Sequence, residues 1–388
     1  MQNILITGVG SLSALGNNSE ETWRNYKGNK TLISDCCLNN QDVKVGKLSS
    51  ESESLIKETR KEKIAFRKLD KSVLMAIISS RQAAKNANWN SLENVGINIG
   101  SSRGATSLFE KYHKHFLQSD KRLSPLSSPT TTLGNISSWV AMDLGSKGVT
   151  LSHSITCSTA LHSILNAAVW IKSGMTDKFL AGGSEAPLTD FTIAQMQALG
   201  IYSKENGDWP SNPLANNKDK NSMVLGEGST VFAMEKDKGQ DSLAKIIGIG
   251  FATEMIEHNA SLSANADCLQ ASMKMALKDA EIETVDSIIM HAPGTNQGDI
   301  AELNAVHEVF GESTPHLTVN KHLSGHTLGN SGALSMEMAI LMLLNKENIS
   351  IPYSNRTTTK TDKPEIILVN AVGFGGNAVS IILQQNKK

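Results

Sequence analysis

Short apolar runs punctuated by glycine alternate along the chain with longer stretches in which apolar residues return every three or four positions. ILITGVG (4–10), VGINIG (95–100) and KFLAGGSE (178–185) carry the first pattern and predict strands. AKIIGIG (244–250), SIIMHA (287–292) and EIILVNAVGFGG (365–376) repeat it in the later half, the last running on into AVSIILQ (378–384). The second pattern predicts helices over DKSVLMAIISS (70–80), over the segment from Ala160 to Gly174, and over LSMEMAILMLL (334–344). Alternation of this kind predicts a layered α/β architecture. The two halves also echo one another: ITGVG (6–10) matches IIGIG (246–250), and GEGSTVFAME (226–235) and GGNAVSIILQ (375–384) each put an apolar strand after paired glycines. Either coincidence or an internal duplication accounts for echoes this short. If duplication, the boundary falls in EKDKGQDS (235–242), where charge and a glycine interrupt two strand patterns, giving halves of residues 1–238 and 239–388.

Composition narrows the class. With 388 residues, 39% hydrophobic and 19% charged, the chain is long enough for two sizeable cores or one fused core. Lys and Arg number 37 against 38 Asp and Glu, so no global charge points to nucleic acid or to a membrane surface. The start, MQNILITGVGSLSALG, has no basic leader, its apolar run breaks at Gly8, and no stretch approaches the roughly 20 apolar residues of a membrane span. A cytoplasmic location is expected. Cys36, Cys37, Cys157 and Cys268 have neither metal-ligand nor secreted-disulfide spacing, and a reducing compartment keeps Cys157 a free thiol.

Chemistry concentrates in four places. Cys157, in SITCSTALHSI (154–164), sits where the helical pattern begins, so the free N–H groups and dipole of a helix start are expected to lower its pKa and contribute to an oxyanion hole. A small apolar core residue is the alternative for that run taken alone. His291 opens HAPGTNQGD (291–299) after an apolar run, at a predicted strand end where α/β enzymes gather their chemistry. His326 lies in NKHLSGHTLG (320–329), five residues after Lys321, which either orients a reacting group or is a solvated cation. The other eight histidines, including His258, have no such setting. GFGG (373–376) lets the backbone turn tightly; the Phe374 N–H would be a second oxyanion donor, and Phe374 with Gly375 would form a gate, unless the segment is a plain strand-end turn.

In their order, ITGVGSLSALG, GINIGSS, ITCSTALH, LAGGSEA, VLGEGSTVFAME, HAPGTNQGDIAE, KHLSGHTLGNSGA and GFGG cover nearly the whole chain. Together they resemble the β-ketoacyl-acyl carrier protein synthases, the elongating Cys-His-His branch of the thiolase-fold condensing enzymes. The resemblance implies a five-layered αβαβα fold of duplicated βαβαβαββ halves, usually dimeric with a copy or with a homologous chain-length factor. It implies that Cys157 takes an acyl group from the phosphopantetheine of an acyl carrier protein, with the Cys157 and Phe374 N–H groups holding the oxyanion. His291 and His326 would then drive decarboxylation of the malonyl-loaded carrier, Lys321 with Glu302 would structure the histidine site, and Thr295 would hydrogen-bond pantetheine. No metal or redox cofactor is implied. Phe109 matches the floor of the acyl pocket near the dimer interface and Met196 another wall, so a short or flat, unsaturated acyl group is expected, as in aryl-polyene or flexirubin-type pigment synthesis, with fatty acid or polyketide synthesis as the wider setting.

The chain departs from the family at Ala292 and Pro293, where Gly-Thr is usual, at Ser335, where a glutamate is common, and at Asn377 and Ala378 after GFGG. NPLANNKDKNSMVLGEG (212–228) also lacks the usual Arg-Asp-Gly-Phe run. Arg60, Lys61, Lys63, Arg67, Lys68 and Lys71 form a basic cluster that is either a docking patch for an acidic carrier or a solvated helix face. Two other readings share the fold. A non-catalytic chain-length partner would lack the nucleophile, and a degradative thiolase would need a second cysteine near GFGG, where this chain has none.

Overall fold

The structure is a computed structural model that describes residues 4–38, 41–118, 122–133, 135–216, 218–255, 262–356 and 363–386, so His258 lies outside the described residues. Twelve strands are described: β1 Ile4–Ser13, β2 Ser34–Leu38, β3 Gln41–Val45, β4 Gly96–Gly100, β5 Thr150–Leu151, β6 Lys178–Glu185, β7 Gly228–Lys236, β8 Ala244–Thr253, β9 Ser287–Ile289, β10 His316–Thr318, β11 Ile366–Gly373 and β12 Asn377–Gln384. β2 and β3 make a separate hairpin. The other ten run in the order β10-β9-β11-β12-β8-β1-β7-β6-β4-β5. Read outward from its centre, that order is the same in both directions: β1-β7-β6-β4-β5 mirrors β8-β12-β11-β9-β10. The halves join where β1 and β8 pair antiparallel through Ile4–Ile6 and Ala244–Ile246.

Helices complete the repeat. The first half places the helices Lys71–Asn86, Asn135–Leu144 and Thr159–Lys172 between its strands; the second places Asp267–Ala280, Asn296–Phe310 and Ser331–Asn345 at the matching points. Both halves therefore read βαβαβαββ. Every residue from Ser331 to Leu343 is buried, which an amphipathic surface helix cannot be. That helix lies with Thr159–Lys172 in a central layer, touching strands of both halves. Lys71–Asn86 packs outside β1 and β7, and Asp267–Ala280 outside β8 and β12. The result is the five-layered αβαβα arrangement.

The echoed glycines have a common cause. A Cβ on Gly8 or Gly10 would stand 2.2 and 2.1 Å from the carbonyl oxygens of Ala83 and Ser79 on one outer helix. On Gly248 or Gly250 it would stand 2.3 and 1.9 Å from those of Ala276 and Ser272 on the other. The motif thus marks where an outer helix rests directly on a strand backbone, once in each half. The short run SIIMHA forms strand only to Ile289, which leaves His291 two residues beyond the strand end.

Candidate active site

Cys157 closes the loop between β5 and the helix Thr159–Lys172, and its side chain is buried. Thr156 before it takes a left-handed φ of 45°, which turns the chain sharply into the helix. The end of β11 presses on this turn: a Cβ on Gly373 would stand 1.7 Å from Thr156 Oγ1 and 3.0 Å from the Cys157 nitrogen. Thr156 Oγ1 donates to the Phe374 carbonyl at 3.2 Å, so the turn after β11 and the cysteine loop are tied together.

His291 and Ala292 donate their backbone N–H groups to the two carboxylate oxygens of Glu302, at 2.8 and 2.7 Å. Glu302 comes from the helix Asn296–Phe310 and also accepts from Asn370 Nδ2 at 3.1 Å. One buried carboxylate thereby fixes the backbone that carries His291. His326 is held through its own backbone, which donates to Val224 at 2.7 Å and accepts from Gly226 at 3.0 Å. Its Nδ1 accepts from the Leu328 N–H at 3.1 Å. A neutral His326 must then carry its proton on Nε2 and present it as a donor.

These elements converge. The two imidazoles stand edge to face with centroids 5.2 Å apart. One side-chain donor atom from each of Cys157, His291 and His326 lies within 4.8 Å of the others. Sulfur with two imidazole nitrogens is also a set that zinc accepts. Burial first, then the charge of Lys321, holds both imidazoles well below the usual histidine range, so both are neutral near pH 7. The three face a cavity of about 540 Å³ that is also lined by Thr295, Phe374 and Met196. Thr295 Oγ1 caps its helix by accepting from the Gly298 N–H at 3.2 Å.

At four places the structure refines these expectations. The pKa of Cys157 is not lowered: burial and the nearby Glu185 carboxylate push it up to about 12, against the smaller opposing effects of Lys321 and Arg103. No ion pair joins Lys321 to Glu302 among the described residues; the two are coupled through space, while Glu302 accepts from His291, Ala292 and Asn370. Lys321 Nζ is buried with no hydrogen-bond partner among the described residues, and burial brings its pKa down to about 8. Phe109 does not floor the cavity of this chain; it is 61% exposed on the helix Thr106–Gln118, stacked on His113. Half of the basic cluster is engaged by the protein's own groups. Arg60 donates to the Leu69 carbonyl at 2.6 Å, Lys63 pairs with Asp143 at 2.7 Å, and Lys71 pairs with Glu227 at 2.8 Å. Lys61, Lys63, Arg67 and Lys68 are exposed, and Lys61, Arg67 and Lys68 make no ion pair among the described residues.

Sequence reading missed three residues. Glu185 accepts from Ser101 Oγ, from the backbone and hydroxyl of Ser102, and from the backbone of Arg103 and Gly329, all between 2.6 and 3.1 Å. It clamps the loop after β4 to the segment that follows His326. Lys218 pairs with Asp299 at 2.9 Å and donates to the Gly294 carbonyl at 2.8 Å, fixing the loop after His291. The stretch that lacks the Arg-Asp-Gly-Phe run thus carries a part-buried cation. Arg103 lines the cavity itself. Glu337 turns away from the site, accepting from Ser11 Oγ at 2.6 Å, and Ser335 Oγ has no partner among the described residues.

The comparisons agree with this arrangement. The sequence model described as Beta-ketoacyl synthase, N-terminal domain, matches residues 1–239, and that described as Beta-ketoacyl synthase, C-terminal domain, matches residues 243–352. A 3-oxoacyl-[acyl-carrier-protein] synthase 2 of Staphylococcus aureus is 27% identical over 99% of this chain and 98% of its own length. The protein of the same name from Vibrio cholerae is 26% identical, over 99% of each. Among solved structures, the ishigamide ketosynthase/chain length factor superposes with a TM-score of 0.87 at 20% identity, covering all of both chains. A ketosynthase in complex with its chain length factor from Xenorhabdus doucetiae gives 0.82 at 20% identity, covering 99% and 98%. With both family models matching in sequence order on a duplicated five-layered fold, the chain belongs to the beta-ketoacyl synthase family.

Proposed function

We propose that this protein is a 3-oxoacyl-[acyl-carrier-protein] synthase, joining an acyl group to a malonyl-derived two-carbon unit with loss of CO₂. The observation that carries the reading is the mutual approach of one thiol and two neutral imidazoles at the floor of a single cavity. Cys157 Sγ attacks the acyl thioester of a carrier protein; the acyl group passes to sulfur and the carrier leaves as a free thiol carrying the cysteine proton. The Cys157 and Phe374 N–H groups hold the oxyanion.

The malonyl-loaded carrier then enters past Thr295. His326, donating from Nε2, and His291 stabilise negative charge on its thioester oxygen as the C–C bond to the carboxylate breaks and CO₂ departs. The resulting enolate carbon attacks the acyl-Cys157 carbonyl, giving a carrier-bound 3-oxoacyl chain, and the cysteine sulfur recovers a proton. Burial, with the positive charge of Lys321 second, keeps the imidazoles neutral and therefore useful as donors. Because N–H donors hold the charge, the reaction needs no metal or redox cofactor, and it suits the reducing cytoplasm. Carrier proteins are acidic, and Lys61, Arg67 and Lys68 offer exposed positive charge for docking. We assign residues 1–238 and 239–388 as the two halves, and place exposed Phe109 where a copy or a homologous subunit would cover it.

The test follows CO₂ release from malonyl carrier protein in the presence of an acyl donor. One CO₂ per 3-oxoacyl product is expected, and His326→Ala should slow release about 10²-fold or more, the usual scale for losing such a donor. An unchanged rate in the variant would remove His326 from the mechanism.

A further inference from the structure

Arg103 stands in the cavity beside Cys157, and the reaction above gives it no task. Its backbone is fixed, since Ser101, Ser102 and Arg103 itself all donate to the buried Glu185 carboxylate. The guanidinium reaches across to the helix Asp190–Ala198, where Nη2 donates to Gln195 Oε1. Gln195 is a neutral amide, and the guanidinium has no ion pair among the described residues. Nε is buried and has no partner among the described residues. The same cavity has apolar lining from Met196, Leu199, Ile201 and Leu328, the first two following Gln195 along the chain. The charge is also felt at the thiol, where Arg103 acts against the effect of burial.

A saturated chain lying along this wall would strip water from the guanidinium and return no acceptor for Nε. An oxygen on the chain would supply one, and a charged donor favours it strongly. We propose that Arg103 is a specificity-determining residue that selects acyl groups carrying an oxygen acceptor, keto or carboxylate, close to the thioester. The proposal rests on the condensing reading given above and names its acyl substrate class. Arg103 acts on the chain and leaves the bond changes untouched: the thioester carbonyl still passes from the carrier sulfur to Cys157 Sγ.

The experiment uses the full chain and three pantetheine thioesters of equal length, butyryl, acetoacetyl and succinyl, with the rate of mass gain at Cys157 as readout. Intrinsic thioester reactivity cancels when each rate ratio is compared between wild type and Arg103→Leu. The ratio of acetoacetyl or succinyl to butyryl should fall about tenfold or more in the variant, because a site built for a polar group discriminates strongly against its absence. A fall for succinyl alone identifies charge pairing, and a fall for both identifies acceptance by a neutral oxygen as well. Ratios unchanged by the substitution overturn the proposal. Arg103→Met, with melting temperatures for all three proteins, repeats the comparison if the leucine variant does not fold. Labelling of Cys157 without discrimination removes only this proposal, whereas no labelling from any donor removes the condensing reading beneath it.

Discussion

At the scale of single residues, acidity separates what the sequence reveals from what it hides. The helix start after Cys157 is plain in the apolar spacing, and from it a lowered thiol pKa follows. Burial reverses that sign, with the pKa pushed up to about 12, because the same residue lies under the end of β11 and near Glu185, both distant in sequence. The thiol is therefore protonated at rest, and its proton must move as the acyl group arrives. His291 and His326 are legible because each lies in a glycine-punctuated motif. Arg103 is not: no periodicity or motif singles it out, and its partner Gln195 lies 92 residues further on. Lys321 reads as an orienting group or a solvated cation, yet it is buried and acts on both imidazoles through space.

Among the elements, the strands and helices that the periodicity predicts form at their expected places, and the doubled ITGVG and IIGIG runs mark equivalent helix contacts. The two-residue β5 and the β2–β3 hairpin carry no comparable signal, since short polar strands take their shape from neighbours. The turn between β11 and β12 joins fold to chemistry, because Gly373 permits contact with Thr156 and the Cys157 backbone. Gly373→Ala should force that contact apart, at a cost of about 1–3 kcal/mol typical of overpacking. Acylation of Cys157 should fall by more than the loss of folded protein explains, measured as labelling rate per folded molecule from a denaturation curve. Full labelling of the folded fraction would show that the contact does not position the thiol.

Across the whole molecule, the two halves are coupled by buried polar bonds as well as by the central helices. Ser11 of β1 donates to Glu337 of the helix Ser331–Asn345 at 2.6 Å, and burial raises that carboxyl from 4.5 to about 7, with Tyr26 close by. Between those two values the folded chain keeps a proton that the unfolded chain has lost. This group's contribution to stability is complete below about pH 4.5 and falls as pH rises through 7, by on the order of 3 kcal/mol. Glu337→Gln should flatten that part of the profile and raise the denaturation midpoint at pH 8; an unaltered slope between pH 5 and 8 would contradict it. The central claim is that the intact protein forms an acyl-enzyme at one thiol among its four. Its most direct test is intact-mass spectrometry after incubation with a panel of acyl-loaded carrier proteins. The account predicts a single added acyl mass, mapped to Cys157 and absent from Cys157→Ala; a protein that gains no mass from any donor, or gains it equally in the variant, would contradict it.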